Sequence, residues 1–238
     1  MLPIILTDIE GTTSRMDFVH RVLFPYARQR LPSFLAAHGD QACVAHEMQA
    51  VRTALGDATA SRERVTTALI AWLDEDRKAT PLKALQGMIW QQGFAAGDFT
   101  AHLYADAVDW LRTWHARGHA IYVYSSGSIA AQKLFFQHSV FGDLSSLFSG
   151  HFDTTMGAKR EVESYRRIAQ SLGVAAASIH FLSDIEAELD AAQAAGMVAT
   201  QLLRADAKPE SHGRHPQATC FAEVRLGAPP PLPSETGR

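Results

Sequence analysis

The chain has 238 residues, 47% of them hydrophobic and 20% charged, with 22 basic against 25 acidic side chains and a formal net charge of −3. That size and apolar content suit one large domain, or a core domain carrying a smaller inserted one, and the charge leaves no basic footprint for a nucleic acid. No apolar stretch approaches the ~20 residues of a membrane-spanning helix, and no basic region precedes the short apolar run at the N-terminus. The two cysteines, Cys43 and Cys220, stand far apart without metal-ligand spacing. The expectation is a soluble cytoplasmic protein with no signal peptide, no membrane partner and no nucleic-acid partner, monomeric by default.

The chain opens on Ile4-Ile5-Leu6-Thr7, an aliphatic run of strand length, which ends in Asp8-Ile9-Glu10-Gly11-Thr12-Thr13. Two carboxylates two residues apart just beyond a buried strand, with a glycine to permit the turn, set a pair of acids at one mouth. From Phe18 the period becomes helical, through Val22, Leu23, Tyr26, Leu31, Phe34 and Leu35, with Pro25 and Pro32 expected to divide or kink the run. Helical patterning returns at 44–55, 65–73 and 82–94, and nothing between 14 and 100 alternates as a strand does. A helical insertion is therefore predicted over 15–99, between two parts of a core, 1–14 and 100–205.

Beyond residue 100 helices alternate with short apolar runs. The helix around Leu103–Trp114 precedes a strand at 120–124, which ends in Ser125-Ser126-Gly127-Ser128. A short run at 150–153 leads to Lys159 and a helix closed by Gly173. The strand at 179–182 ends in Ser183-Asp184, and a last strand is predicted over 197–203. Such alternation predicts an α/β fold with a Rossmann-like parallel sheet, whose ligands sit beyond the carboxyl ends of the strands. Residues 206–238 form a C-terminal segment, with a flexible proline-rich tail expected from Gly227 onward. No internal repeat and no zinc-type histidine pairing is present, so His138, His151 and His180 read as core or surface residues.

The strand ends thus offer Asp8, Glu10, Ser125, Ser126, Lys159 and Asp184. Individually each has an ordinary explanation: a strand-exit turn for the serines, a solvated lysine, a helix cap for Asp184. As an ordered series they describe phosphoryl transfer. A carboxylate can attack phosphorus, serine hydroxyls and backbone amides can hold the nonbridging oxygens, and a lysine adds fixed positive charge. Crowded acids facing a phosphate call for a divalent cation, Mg²⁺ being the natural choice for oxygen ligands, and a second acid can protonate the leaving oxygen and then activate water.

This order, D-x-E-G-T-T, then apolar-S-S-G-S, then K, then apolar-S-D, resembles the motifs of the haloacid-dehalogenase-like hydrolases. Asp8–Thr13, Leu23-Phe24-Pro25-Tyr26, Leu85-Gln86-Gly87, Tyr124–Ser128 with Ala131-Gln132-Lys133-Leu134, and Gly150–Thr154 are similar to the enolase-phosphatase branch, over about residues 4 to 204. The resemblance implies a Rossmann-like core with an inserted helical cap. It implies catalytic roles for Asp8 as nucleophile, Glu10 and Lys159, and phosphate binding by Ser125, Ser126 and Lys159. One Mg²⁺ per subunit would be held by Asp8, Glu10 (through its backbone carbonyl) and Asp184. Glu188 is the nearest further acid of the fourth motif, with Glu186 as the other option. The implied substrate is a small phosphorylated diketone, 2,3-diketo-5-methylthiopentyl-1-phosphate, enolised and then dephosphorylated to 1,2-dihydroxy-3-keto-5-methylthiopentene in methionine salvage. The cap's apolar residues would enclose the methylthio tail. The alternatives are a plain small-molecule phosphatase, a halide-displacing hydrolase on a similar core, and a catalytically silent binding protein.

Overall fold

β1 (Ile4–Thr7) lies in the middle of a six-stranded sheet of order β3-β2-β1-β4-β5-β6, all neighbours parallel. The others are β2 (Ile121–Tyr124), β3 (Gly150–Phe152), β4 (Ile179–Ser183), β5 (Val198–Leu202) and β6 (Gln217–Ala218). The computed structural model describes residues 2–207 and 211–226, so the proline-rich tail expected from Gly227 onward lies outside the described residues.

Every residue of β1 and β4 is buried, as expected where helices cover both faces of a parallel sheet, and this is why these strands show no polar alternation. Ile4, Leu6, Ile179 and Phe181 pack with Tyr165 and Ile168 from the helix Val162–Leu172 and with Leu189 from the helix Glu186–Ala194. From β1 the chain goes outward to β2 and β3 on one side, then crosses to β4, β5 and β6 on the other, so the sheet's switch point falls at the carboxyl end of β1.

The residues divide into two compact units: one combines the N-terminal residues through Met16 with those from Ala101 onward, and the other is Asp17–Thr100. The second is all-helical, with long helices Phe24–His38, Ala42–Ala54, Arg62–Asp74 and Thr80–Ala96 around a core that includes Leu31, Leu35, Val51, Leu69 and Leu85. Pro32 lies inside the helix Phe24–His38 without dividing it, and Pro25 stands in that helix's first turn, where a π-helical segment gives way to α-helix. Ala27, Leu31, Phe34 and Leu35 bury one face of that helix, and tertiary packing outweighs the local penalty at Pro32. A π-helical turn, Val19–Leu23, precedes it and has no counterpart in the sequence reading.

In the C-terminal segment the chain adds β6 beside β5, and Phe221 is fully buried with its ring 5.5 Å from that of Trp114.

Candidate active site

Register assembles the site. Thr7 is level with Val123 on β2 and with Leu182 on β4, so the chain emerges from the sheet at Asp8, at Tyr124-Ser125 and at Ser183-Asp184 side by side. The loop after β1 is wound tightly: the carbonyl of Ile9 accepts from the backbone N–H groups of Thr12, Thr13 and Ser14, and the hydroxyl of Thr13 donates to the carbonyl of Asp8 at 3.2 Å. Gly11 has φ +72°, and a Cβ there would fall 2.2 Å from Oδ2 of Asp184. Only glycine serves both the backbone conformation and the close approach of that carboxylate.

Four acids meet one lysine. Lys159 Nζ, 7% exposed, lies 2.7 Å from Asp8 Oδ2 and 2.7 Å from Glu188 Oε2. Burial alone would lower the lysine's pKa, but Asp8 and Glu188 beside it push it up, so it is held charged. The other oxygen of Asp8, Oδ1, accepts from the Ile9 N–H at 2.8 Å. Burial and the charge of Asp8 raise the carboxyl of Asp184 to about 8, against which Lys159 works. Burial, then Asp8, likewise push Glu10 and Glu188 up. Glu10 Oε2 accepts from the Ser125 hydroxyl at 3.2 Å.

Ser125 is fully buried, and its oxygen also accepts from the N–H of Gly127 at 3.2 Å. Ser126 is exposed on the same turn. The turn is braced from below by Gln132, whose Nε2 donates to the carbonyls of Gly127 and Phe152, both at 2.8 Å. With the Gly127 carbonyl held inward, the turn keeps a fixed shape at the strand end.

The structure therefore gathers Asp8, Glu10, Ser125, Lys159, Glu188 and Asp184, and leaves Ser126 at the edge. Of the two further acids, Glu188 joins the site, whereas Glu186 is turned away to pair with His212 and Arg214. Asp184 does not cap the following helix, whose N-cap is Ile185 with no side-chain bond. Sequence reasoning missed three contributors. Ser183 donates from its hydroxyl toward Glu188 Oε2 (3.0 Å) and Asp8 Oδ2 (3.4 Å), Tyr165 donates to the carbonyl of Lys159 at 2.7 Å, and Gln132 braces the serine turn. Ser183 was legible as a polar residue ending a buried strand, but nothing in the spacing distinguishes Tyr165 from its apolar neighbours.

Among the described residues no three His, Cys, Asp or Glu side chains converge as a metal cluster. A cation here would rest on two carboxylates, with backbone oxygen and water completing its shell. Asp184 favours one: its Oδ1 is buried with no hydrogen-bond partner among the described residues, and burial and the charge of Asp8 disfavour its ionised form more than Lys159 offsets.

The sequence profile of the haloacid dehalogenase-like hydrolases matches residues 2–196. The chain belongs to that family. Within it, the chain is similar to the Enolase-phosphatase E1 of Pseudomonas syringae pv. syringae (strain B728a), 60% identical over 200 residues that cover 84% of this chain and 88% of that protein. It is 52% identical to the Enolase-phosphatase E1 of Alcanivorax borkumensis over 226 residues, covering 95% of this chain and 99% of that one. Among solved haloacid dehalogenase-like folds, the crystal structure of the UTR4 protein from Saccharomyces cerevisiae superposes with a TM-score of 0.81 at 30% identity, covering 94% of this chain and all of that chain. CbbY from Rhodobacter sphaeroides in complex with phosphate shares the fold alone, with a TM-score of 0.58 at 17% identity.

Proposed function

We propose that the chain is a Mg²⁺-dependent enolase-phosphatase converting 2,3-diketo-5-methylthiopentyl-1-phosphate to 1,2-dihydroxy-3-keto-5-methylthiopentene and phosphate. The observation that carries the reading is Asp8 fixed at the sheet's switch point by Lys159 and Ile9 N–H, in a chain 60% identical to an Enolase-phosphatase E1. The same reading sets the reaction in methionine salvage, in a cytoplasmic monomer with one Mg²⁺ per subunit.

In the first step Glu10 takes a proton from the carbon beside a carbonyl, and the carbonyl oxygen gains one from solvent to form the enol, which leaves Glu10 protonated for the second step. Glu10 is the base in this reading: its pKa is raised by burial and by Asp8, which suits a group that must accept a proton and give it up again. In the second step an Asp8 carboxylate oxygen attacks phosphorus and the ester P–O bond breaks. The departing enol oxygen takes a proton from Glu10. Water, deprotonated by Glu10, then attacks the same phosphorus, the bond to Asp8 breaks, phosphate leaves with Asp8 restored, and Glu10 returns its proton to solvent. Lys159, held charged between Asp8 and Glu188, keeps the nucleophile in place and offers positive charge to the phosphoryl oxygens, and Ser125 with the turn after it supplies donors. Asp8, Asp184 and the backbone carbonyl of Glu10 would hold Mg²⁺, which when bound polarises the substrate carbonyl and neutralises phosphate charge.

The test is direct. Purified protein with Mg²⁺ and the diketo phosphate is followed for enol absorbance and for free phosphate. Enol formed ahead of phosphate supports the reading, whereas phosphate released without an enol would reduce the protein to a plain phosphatase.

A further inference from the structure

Gln201, on β5, is fully buried although it carries a polar amide. It stands level with Ser183 on β4, which brings its side chain beside the peptide that follows Ser183. Its Nε2 donates to the backbone carbonyl of Asp184 at 3.0 Å, and its Oε1 accepts from the hydroxyl of Ser211 at 2.7 Å. Ser211 Oγ in turn accepts from Gln217 Nε2 at 2.6 Å and from the N–H of Gly213 at 3.3 Å. Gln217 is the residue of β6 level with Gln201. A closed relay of amides and a hydroxyl therefore runs from β6 through Ser211 and Gln201 to the peptide of Asp184.

The same segment grips the other side of Asp184. Glu186, buried in the first turn of the helix that also carries Glu188, accepts from the backbone N–H of His212 at 3.2 Å and of Arg214 at 3.4 Å. The Arg214 guanidinium bridges Glu186 at 3.2 Å and Asp190 at 3.0 Å, and His215 Nε2 lies 2.8 Å from Asp190. Residues 211–217 thus reach a carbonyl just before this helix through Gln201 and bind two acids within it directly.

Asp184 needs such support. Its Oδ1 has no partner among the described residues, so part of its carboxylate is not held by its own contacts. On the Gly11 side there is no slack, since even a methyl carbon on Gly11 would overlap Asp184 Oδ2. The backbone must therefore set where the carboxylate points, and the buried amide of Gln201 is what holds that backbone. The segment lies beyond residue 196, where the match to the family profile ends.

We propose that residues 211–217 are a strap that sets Asp184 for a divalent cation, with Gln201 as the positioning residue that transmits it. This rests on the reading of Asp184 as a metal carboxylate. Gln201→Leu removes the bonds to Asp184 and Ser211 at similar volume, and Ser211→Ala removes the strap's bond to Gln201 while leaving Gln201 in place. Thr200→Val is the control, because Thr200 is the adjacent residue on β5 and its hydroxyl bonds His180 instead.

The experiment is calorimetric titration of each metal-free protein with Mg²⁺ in the absence of substrate, with thermal melts alongside and amide exchange over residues 184–188. Gln201→Leu should weaken Mg²⁺ binding about tenfold, the scale of losing a group that orients a metal ligand. Ser211→Ala should weaken it several-fold, and both should speed exchange at 184–188. Thr200→Val should lower the melting temperature with Mg²⁺ affinity and exchange unchanged. If Gln201→Leu does not fold, Ser211→Ala carries the decision. Wild-type Mg²⁺ affinity in the folded strap variants, or an equal loss in Thr200→Val, would overturn the strap. Failure of the unaltered protein to bind Mg²⁺ would overturn the metal reading itself, and the strap's role with it.

Discussion

Lys159 Nζ stands 2.7 Å from Asp8 Oδ2, and both side chains are almost wholly buried. A lysine in that place restrains the Asp8 carboxylate and sets a positive charge among Asp8, Glu10, Asp184 and Glu188. Lys159→Ala should cut phosphate release by about 10²–10³, the usual cost of deleting one preorganised charge at such a centre. Steady-state kcat measurements at saturating Mg²⁺ check this, and a loss below tenfold in a folded variant would move Lys159 out of the chemistry.

The two reaction steps should separate at Asp8. Asparagine keeps the shape of Asp8 but is a poor nucleophile toward phosphorus, so Asp8→Asn should abolish phosphate release. Hydrogen exchange at the carbon beside the carbonyl, followed by NMR in D₂O, should continue above the uncatalysed rate in Asp8→Asn and fall in Glu10→Gln. Exchange lost in a folded Asp8→Asn protein would show that Asp8 serves both steps.

The buried acids make the metal-free protein pH-sensitive in a defined direction. Asp184, at about 8, is raised above its unfolded value of 3.8, so the folded state holds the extra proton between them. Stability of the metal-free protein should therefore fall as pH rises from about 4 towards 8 through this group, with Glu10 and Glu188 acting in the same sense. Mg²⁺ should reverse the loss, and its affinity should increase with pH up to about 8, because cation and proton compete for Asp184. Melting curves with chelator and with Mg²⁺ across this range provide the check. Stability that is flat with pH in chelator would contradict the raised acids, and full turnover in excess chelator would remove the metal from the reaction.

His180, within β4, predicts an independent acid effect. It is 1% exposed, bonded through Nε2 to Thr200 Oγ1 at 2.8 Å, and burial lowers its pKa to about 4. The neutral ring is favoured on folding, so its contribution is complete above the unfolded value near 6.5 and is lost as pH falls from there towards 4. The ceiling is about 3 kcal/mol for a shift of this size. Urea unfolding of wild type and His180→Gln between pH 7 and 4.5 should show a shallower acid slope in the variant.

The strand ends were readable in the sequence because their signals are local. A buried aliphatic run closed by Asp8-Ile9-Glu10-Gly11, a second closed by Ser125-Ser126-Gly127 and a third by Ser183-Asp184 each combine period with turn chemistry over a few residues. Parallel register then brings those ends together at one level, so Asp8, Ser125 and Asp184 follow from the order of strands alone. The helical period between residues 18 and 94 was readable for the same reason, and Pro32 does not divide its helix because the apolar face of that helix is buried.

What only the tertiary structure decided depends on direction. Glu186 and Glu188 lie two positions apart in one helix, about 200° around its axis, and no local signal says which of them faces Asp8 and Lys159. Packing of that helix on the sheet turns Glu188 to Lys159 and Glu186 to the C-terminal segment. The raised pKa of Asp184 likewise arises from burial and from Asp8, which is 176 positions earlier in the chain, and Gln201 becomes its support only because β5 pairs with β4 in that register. Composition, period and turn chemistry act between near neighbours along the chain. Charge, burial and hydrogen bonding between distant residues act through space, and only the fold sets those distances.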